Sequence, residues 1–129
     1  MKACFADTFY FLSLISSRDR SHARAVQLSQ SLTCPIFTTA WVLTELADAL
    51  CRPPRRELFG LFLERLRSEP RTIIVPATED LYEAGLDLYL DRPDKAWSLT
   101  DCISFVVMER EGLKEALTGD SHFEQAGFQ

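Results

Sequence analysis

The stretch SLTDCISFVVMEREGLKEALTGD, residues 98–120, contains a helix followed by a buried strand. Ser98 is a good N-cap residue and Gly112 is the residue type that most often ends a helix, so the pattern predicts a helix over residues 99–111. The apolar run that follows predicts a strand over residues 115–118. A helix that leads into a short apolar strand is typical of α/β proteins with a parallel sheet.

The rest of the chain repeats this alternation of short apolar strands and longer helices. Together these segments predict an α/β fold, a three-layer α/β/α sandwich with a short, mostly parallel central sheet. No repeat or linker divides the sequence, so one domain over residues 1–129 is expected. The remaining predicted strands are 2–7, 35–38 and 72–75, and the remaining predicted helices are 8–16, 20–32, 39–52, 54–68 and 78–90.

The charge of the chain is unevenly distributed. Its 129 residues carry a net charge of -5, and 26% of them are charged. Residues 1–78 have a balance of +3, whereas residues 79–129 have a balance of -8. A negative total argues against broad, nonspecific coating of nucleic acid, although it allows a local basic rim beside an acidic centre.

Three features predict a cytoplasmic protein. The four cysteines form no C-x-x-C pair, so free thiols are favoured over disulfides or a zinc site. Asp7 interrupts the first apolar run, which argues against a signal peptide. No run approaches the roughly 20 apolar residues that a membrane helix needs, so no membrane association is expected.

Four acidic residues lie against sequence that is predicted to be buried. Asp7 and Asp120 follow predicted strands, Asp101 lies in the first turn of a helix, and Glu45 lies inside an apolar helical segment. A buried carboxylate is costly unless it is paired or bound to a cation. Ligand sites of parallel sheets lie beyond the carboxyl ends of the strands, so the four acids predict one shared site for Mg²⁺ or Mn²⁺.

Each acid also has a purely structural interpretation. Asp7 can N-cap the first helix, and Asp101 can complete a capping box with Ser98. Asp120 can be a turn residue, and Glu45 can lie on a solvated helix face. The four together are more specific than any one of them.

The other candidates are weaker. His22 and His122 show no metal-ligand spacing, so a surface or capping role is expected. Trp41, Trp97 and the nine phenylalanines are expected in the core rather than in stacking platforms. The helix over residues 54–68 has a wide apolar stripe, and an exposed apolar and basic surface is expected there and on the preceding helix. The arginines that could line a phosphate path are Arg52, Arg55, Arg56, Arg65, Arg67 and Arg71.

The order and context of the acids resemble PIN-domain ribonucleases, and among them the VapC-type toxins of bacterial toxin–antitoxin pairs. The resemblance spans nearly the whole chain, and its third and fourth segments are the most specific. It departs from the family in one respect, because the family usually continues past Gly127-Phe128 into a final short strand. The matching segments are Phe5-Ala6-Asp7-Thr8, Thr44-Glu45-Leu46, Ser98-Leu99-Thr100-Asp101-Cys102-Ile103-Ser104, Leu117-Thr118-Gly119-Asp120-Ser121-His122-Phe123 and Ala126-Gly127-Phe128.

The resemblance implies divalent-metal-dependent cleavage of RNA, a partner antitoxin protein and frequent homodimers. Carried over residue by residue, it makes Asp7, Glu45, Asp101 and Asp120 the catalytic residues that hold Mg²⁺ (or Mn²⁺) or its waters. By the same resemblance, polar residues beside these acids orient the carboxylates or waters. These are Thr8, Thr100 and Thr118.

Two other enzyme classes fit the sequence poorly. A phosphotransfer receiver domain needs an acceptor aspartate after the third strand, where this chain has Ile73-Ile74-Val75-Pro76-Ala77. A haloacid-dehalogenase-like phosphatase needs a second aspartate two positions after the first, and residue 9 is Phe. The remaining alternative is a non-catalytic module that binds a protein partner or a metal.

Overall fold

The computed structural model describes residues 2–129 and alternates strands with helices. All predicted strands and helices are confirmed, with ends shifted by at most three residues, and the short helix α7 adds to them. The strands are β1 (Cys4–Ala6), β2 (Ile36–Thr39), β3 (Thr72–Val75) and β4 (Glu115–Leu117). The helices are α1 (Thr8–Ile15), α2 (His22–Ser31), α3 (Ala40–Ala49), α4 (Arg55–Ser68), α5 (Glu79–Asp91), α6 (Leu99–Arg110) and α7 (His122–Gln125).

The strands form one sheet in the order β3-β2-β1-β4, and every strand pair is parallel. The chain moves in one direction from β1 to β3 and then returns across the sheet to β4. Because parallel crossovers are right-handed, α1 to α4 cover one face and α5 with α6 cover the other. The predicted three-layer α/β/α fold is therefore confirmed.

Aromatic packing fixes β1, α6 and α7, which lie next to or carry three of the four acidic residues. Phe5 in β1 is fully buried, and its ring centroid lies 6.2 Å from that of Phe123 in α7. Phe123 also packs edge-on against Phe105 of α6, at 4.9 Å between centroids. The core therefore fixes α7, and with it the loop from β4 that carries Asp120.

Helix α4 covers its apolar stripe only in part. None of its residues is buried, and Leu58 and Leu61 are 43% and 62% exposed. Phe59 and Phe62 of the same stripe pack against the core. The expected exposed apolar surface is therefore present on α4, whereas α3 contributes no large apolar side chain to the exposed ones of the described residues.

Gln129 forms backbone hydrogen bonds with β4, the strand at one edge of the sheet. The backbone N–H of Gln129 donates to the Lys114 carbonyl at 2.7 Å, and the Ala116 N–H donates to the Gln129 carbonyl at 3.0 Å. Gln129 therefore lies along β4, where the resemblance implied a final strand.

Two features of the described chain concern the pairing of its cysteines and the length of its helices. All four cysteines are free, although the Sγ atoms of Cys4 and Cys34 lie 3.5 Å apart. Within residues 2–129, no helix has the length and apolar character needed to cross a bilayer.

Candidate metal centre

The four predicted acids line a single cavity of about 230 Å³. They reach it from the end of β1, from α3, from the start of α6 and from the loop after β4. The cavity lies beyond the carboxyl ends of the central strands, as expected for a parallel sheet. Its other lining residues are Thr8, Phe9, Leu12, Val42, Thr100 and Ser104.

Asp7 is held by two hydrogen bonds in a buried position. Its Oδ1 accepts from the backbone N–H of Tyr10 at 3.1 Å, which caps α1. Its Oδ2 accepts from the Thr118 hydroxyl at 2.6 Å. The N-cap interpretation of Asp7 is therefore correct, and the same carboxylate also faces the acidic cavity.

The surroundings of Asp7 disfavour its charged form. Burial raises the pKa of Asp7 from its ordinary value to about 7. The hydrogen bonds from Thr118 and Tyr10 lower this pKa, and the negative charges of Asp120 and Asp101 raise it. A bound cation would favour the ionised carboxylate.

Asp101 also combines a capping role with a position in the cavity. Its backbone N–H donates to Ser98 Oγ at 3.0 Å, and its Oδ2 accepts from the Ser98 N–H at 3.1 Å. This reciprocal pair is the predicted capping box, and it fixes the carboxylate at the first turn of α6.

His122 lies between two of the acids, so the expectation of a surface or capping role is wrong. Its Nδ1 lies 3.0 Å from Oδ2 of Asp101 and 3.2 Å from Oδ1 of Asp120. Asp120 in turn accepts a hydrogen bond from the His122 backbone N–H at 2.9 Å. One ligand atom from each of these three residues lies within 4.8 Å of the others. The spacing Asp-x-His directly after a strand is the signal that points to this group.

Glu45 lies on the second turn of α3 and is half-buried. Thr39 caps this helix by accepting a hydrogen bond from Val42 N–H at 3.1 Å, so the start of α3 is fixed at the end of β2. The carboxylate of Glu45 forms no hydrogen bond or ion pair within residues 2–129. Its carboxylate can therefore turn toward a ligand in the cavity.

The three predicted threonines have different surroundings. Thr118 connects two acids, because its hydroxyl donates to Asp7 and accepts from the Asp120 N–H at 2.9 Å. Thr8 Oγ1 is buried and has no hydrogen-bond partner in the described chain. Thr100 lines the cavity, and its carbonyl accepts from Ser104 Oγ. Their roles in orienting ligands remain predictions.

The chemistry of this site fits a hard divalent cation. Four carboxylates line the cavity, and no Lys or Arg is among its lining residues in the part of the chain described. Carboxylate oxygens are the ligands that Mg²⁺ and Mn²⁺ prefer. The unpartnered Thr8 hydroxyl is a further oxygen donor, and a buried polar group without a partner is unfavourable.

The match to known families covers the whole of this site. Residues 4–129 match the PIN domain family. This chain belongs to that family.

Two relatives illustrate how similar the chain is to other PIN-domain proteins. It is 29% identical over 125 residues to the 23S rRNA-specific endonuclease VapC20 of Mycobacterium tuberculosis, covering 96% of this chain and 94% of the relative. The crystal structure of VapC20, described as a sarcin–ricin loop cleaving toxin, superposes with a TM-score of 0.88 at 25% identity, covering 98% of this chain and 96% of that one. The crystal structure of FitAcB from Neisseria gonorrhoeae has the same fold, with a TM-score of 0.69 at 18% identity. The match covers 98% of this chain and 96% of that one.

Thr118→Val should weaken metal binding by about 10- to 100-fold, because valine keeps the shape of the side chain but cannot donate to Asp7. Loss of that donor also raises the pKa of Asp7 further, so that a proton competes better with the metal. The measurement is the Tm of each protein as a function of Mn²⁺ concentration. Thr44→Val is the control, because the Thr44 hydroxyl bonds only to the Ala40 carbonyl on an exposed face of α3. Equal affinities for Thr118→Val and wild type would mean that packing and Tyr10 suffice to position Asp7.

Proposed function

We propose that this PIN-domain protein is a divalent-metal-dependent endoribonuclease that acts as the toxin of a toxin–antitoxin pair. The observation that carries the proposal is the group of four carboxylates around one cavity, with no cationic side chain among the residues that line it. The similarity to VapC20 along nearly the full length of both chains supports RNA as the substrate.

The proposed metal ligands are Asp7, Glu45, Asp101 and Asp120. When bound, Mg²⁺ or Mn²⁺ would supply positive charge at the scissile phosphate and lower the pKa of a water molecule. The chain itself holds the carboxylates in place. Thr118 orients Asp7, and the capping box with Ser98 orients Asp101.

His122 positions Asp101 and Asp120 relative to each other. With a proton on Nδ1, its ring donates to the Asp101 carboxylate, while its backbone N–H holds Asp120. Both carboxylates can then present their remaining oxygens to the cavity. Glu45, whose carboxylate has no hydrogen bond within residues 2–129, completes the group from the side of α3.

The acidic centre makes the 2'-hydroxyl unnecessary as a nucleophile, because a water molecule can attack the phosphate. Selection of RNA must then come from contacts to shape or to bases outside the carboxylates. Proteins that read RNA sequence bind unpaired loops and ends most readily. A single-stranded region or hairpin loop is therefore the proposed target.

The test is cleavage of labelled RNA by the purified protein in Mg²⁺ or Mn²⁺, with EDTA as the paired condition. Suitable substrates are ribosomal RNA, transfer RNA and a hairpin that carries the sarcin–ricin loop, which is the target stated for VapC20. We expect discrete cuts that disappear with EDTA and return when the metal is restored.

Two outcomes would contradict parts of the proposal. Cleavage that survives full chelation would exclude the metal mechanism. Failure to cut any of the RNAs, with protein shown to be free of a co-purified partner, would favour the non-catalytic binding module.

We also propose that a small antitoxin protein docks on α4 near the acidic cavity. Leu58 and Leu61 are exposed on this helix, which suits the apolar face of a partner helix. A basic side chain from the same partner would be attracted to the carboxylates of the acidic cavity. Such a partner would both cover the apolar surface and block the site.

Leu61→Glu should weaken capture of this partner by at least about 30-fold, because a charge would replace a side chain at the centre of the contact. The measurement is native co-purification of the chain with the product of its neighbouring gene. Leu90→Glu is the matched control, since Leu90 is 71% exposed but lies on α5. Equal recovery of partner with Leu61→Glu and Leu90→Glu would place the docking surface elsewhere.

A further inference from the structure

The ring of Phe9 is exposed at the rim of the acidic cavity, against the expectation that all nine phenylalanines lie in the core. Phe9 is the second residue of α1 and is 43% exposed. It lines the acidic cavity together with Asp7 and Asp120, and it also lines a second cavity of about 320 Å³. An aromatic ring therefore stands between the carboxylates and a neighbouring recess.

Gly119 fixes the position of this ring. A Cβ atom built at Gly119 would lie 2.2 Å from Cε1 and 2.6 Å from Cζ of Phe9. Such distances are far below van der Waals contact, so only glycine allows the ring to rest on the loop after β4. One side of the Phe9 ring rests on Gly119, and the exposed surface of the ring is available to a ligand.

The second cavity adds a cation without a protein partner. Arg24 of α2 lines it, and the Arg24 guanidinium forms no hydrogen bond or ion pair within residues 2–129. Leu28, Thr118 and Gly119 also line this cavity. At about 320 Å³ the cavity is in the size range of small-molecule sites, and a planar base is smaller than the ligands such sites hold.

We propose that Phe9 and Arg24 form a subsite for an unpaired nucleotide next to the scissile phosphate. The base stacks on the exposed surface of Phe9, and the Arg24 guanidinium donates hydrogen bonds to acceptor atoms of that nucleotide. This inference rests on the proposed function, because the acidic cavity must hold the phosphate. Phe9 lines both cavities, so a strand that places a phosphate at the carboxylates passes the ring with its next nucleotide.

The chemistry favours a nucleotide over a peptide at this position. Bases stack on aromatic rings regardless of their sequence, and a guanidinium binds both phosphate and base acceptors. An unpaired base is required, because a base within a duplex has no free face for Phe9. The subsite therefore supplies the contact outside the carboxylates by which the protein selects single-stranded RNA.

The test compares variants in cleavage of the sarcin–ricin hairpin RNA with Mn²⁺. Phe9→Leu keeps an apolar contact with Gly119 but removes the aromatic face, and it should raise KM by about 5- to 100-fold. Phe9→Tyr should keep a KM close to that of wild type. Arg24→Ala should also raise KM, whereas Arg20→Ala should not, because Arg20 is exposed on the loop before α2 and does not line the cavity.

A second measurement is independent of cleavage. In Phe9→Trp, the new indole should lose fluorescence on addition of the hairpin RNA in EDTA, beyond any loss seen in wild type. Gly119→Ala forces the ring from its support, so it should weaken RNA binding. It should have no additional effect in the Phe9→Leu background, because the stacked ring is then already lost.

The outcomes separate this inference from the proposed function. If wild type cuts the hairpin and Phe9→Leu shows the wild-type KM, the subsite is wrong while the nuclease stands. The same holds if Phe9→Trp shows no quenching by RNA that the protein binds. If wild type neither binds nor cuts the RNAs, the proposed function fails and the subsite fails with it.

Discussion

Asp7→Asn and Asp101→Asn should each lower RNA cleavage by at least about 1,000-fold, because each removes a charged oxygen from the proposed metal site and several kcal/mol of transition-state stabilisation with it. Neither change should unfold the protein. Asparagine can still accept the hydrogen bonds by which Asp7 caps α1 and Asp101 caps α6. The measurement is the rate of RNA cleavage in saturating Mn²⁺, with a thermal melt of each variant.

Asp48→Asn is the control for a generic loss of negative charge, because Asp48 is exposed on α3 and is not among the residues that line the cavity. It should cut RNA at the wild-type rate. Asn variants that still cut RNA and melt markedly lower without metal would show that Asp7 and Asp101 serve only as helix caps.

The structural and functional interpretations of the acids turn out to be compatible. Asp7 is an N-cap and Asp101 is the acidic member of a capping box, as local sequence rules predict. Both caps belong to helices that begin at the carboxyl end of the sheet. A side chain that caps such a helix therefore already lies where a parallel sheet binds its ligands. Local rules could not decide between the two roles, because the geometry satisfies both.

The sequence could predict the strands and long helices because their apolar runs are well separated by Gly, Pro and capping residues. It could not predict α7, which has only four residues and is held in place by the burial of Phe123. The same limit explains the error at His122. The Asp-x-His spacing points to a pairing of Asp120 with His122, whereas the contact of His122 with Asp101 depends on how the loop after β4 folds back onto α6.

The hydrophobic pattern of α1 could not predict that Phe9 is exposed. Helix α1 has the sequence TFYFLSLI, in which nearly every position is apolar, so periodicity does not indicate which side faces outward. The contact that decides the question is with Gly119, more than one hundred residues away in the chain. Positions of this kind, where an apolar segment has no polar face, require the tertiary structure.

The stability of the metal-free protein should depend on pH through Asp7. Burial raises its folded-state pKa to about 7, above the ordinary value of 3.8. The native state therefore holds this proton more tightly than the unfolded state does. As pH rises from about 4 to about 7, the native state must ionise a buried carboxylate, so stability is lost across that range and the full penalty is present above pH 7.

Asp7→Asn removes this penalty, because asparagine does not ionise. In EDTA, we expect the variant and wild type to have similar stability near pH 4 and to diverge as pH rises. Above pH 7 the variant should be more stable by on the order of 2–4 kcal/mol, or about 7–15 °C in Tm. Metal should reverse the order at high pH, because a cation stabilises the ionised wild-type site by mass action and has fewer ligands in the variant.

Thermal melts of both proteins at pH 4, 5, 6, 7 and 8, in EDTA and in Mn²⁺, measure these differences directly. Since protons and metal compete for Asp7, the gain in Tm that Mn²⁺ gives wild type should grow with pH and level off above pH 7. Asp48→Asn should follow wild type at every pH, as its carboxylate is exposed. A difference between Asp7→Asn and wild type that stays constant from pH 4 to pH 8 would mean that the Asp7 carboxyl of the native protein is already ionised at pH 4. The hydrogen bonds from Thr118 and Tyr10 would then lower the pKa of Asp7 by as much as burial raises it. The ionised Asp7 carboxylate would in that case be stable without a bound cation.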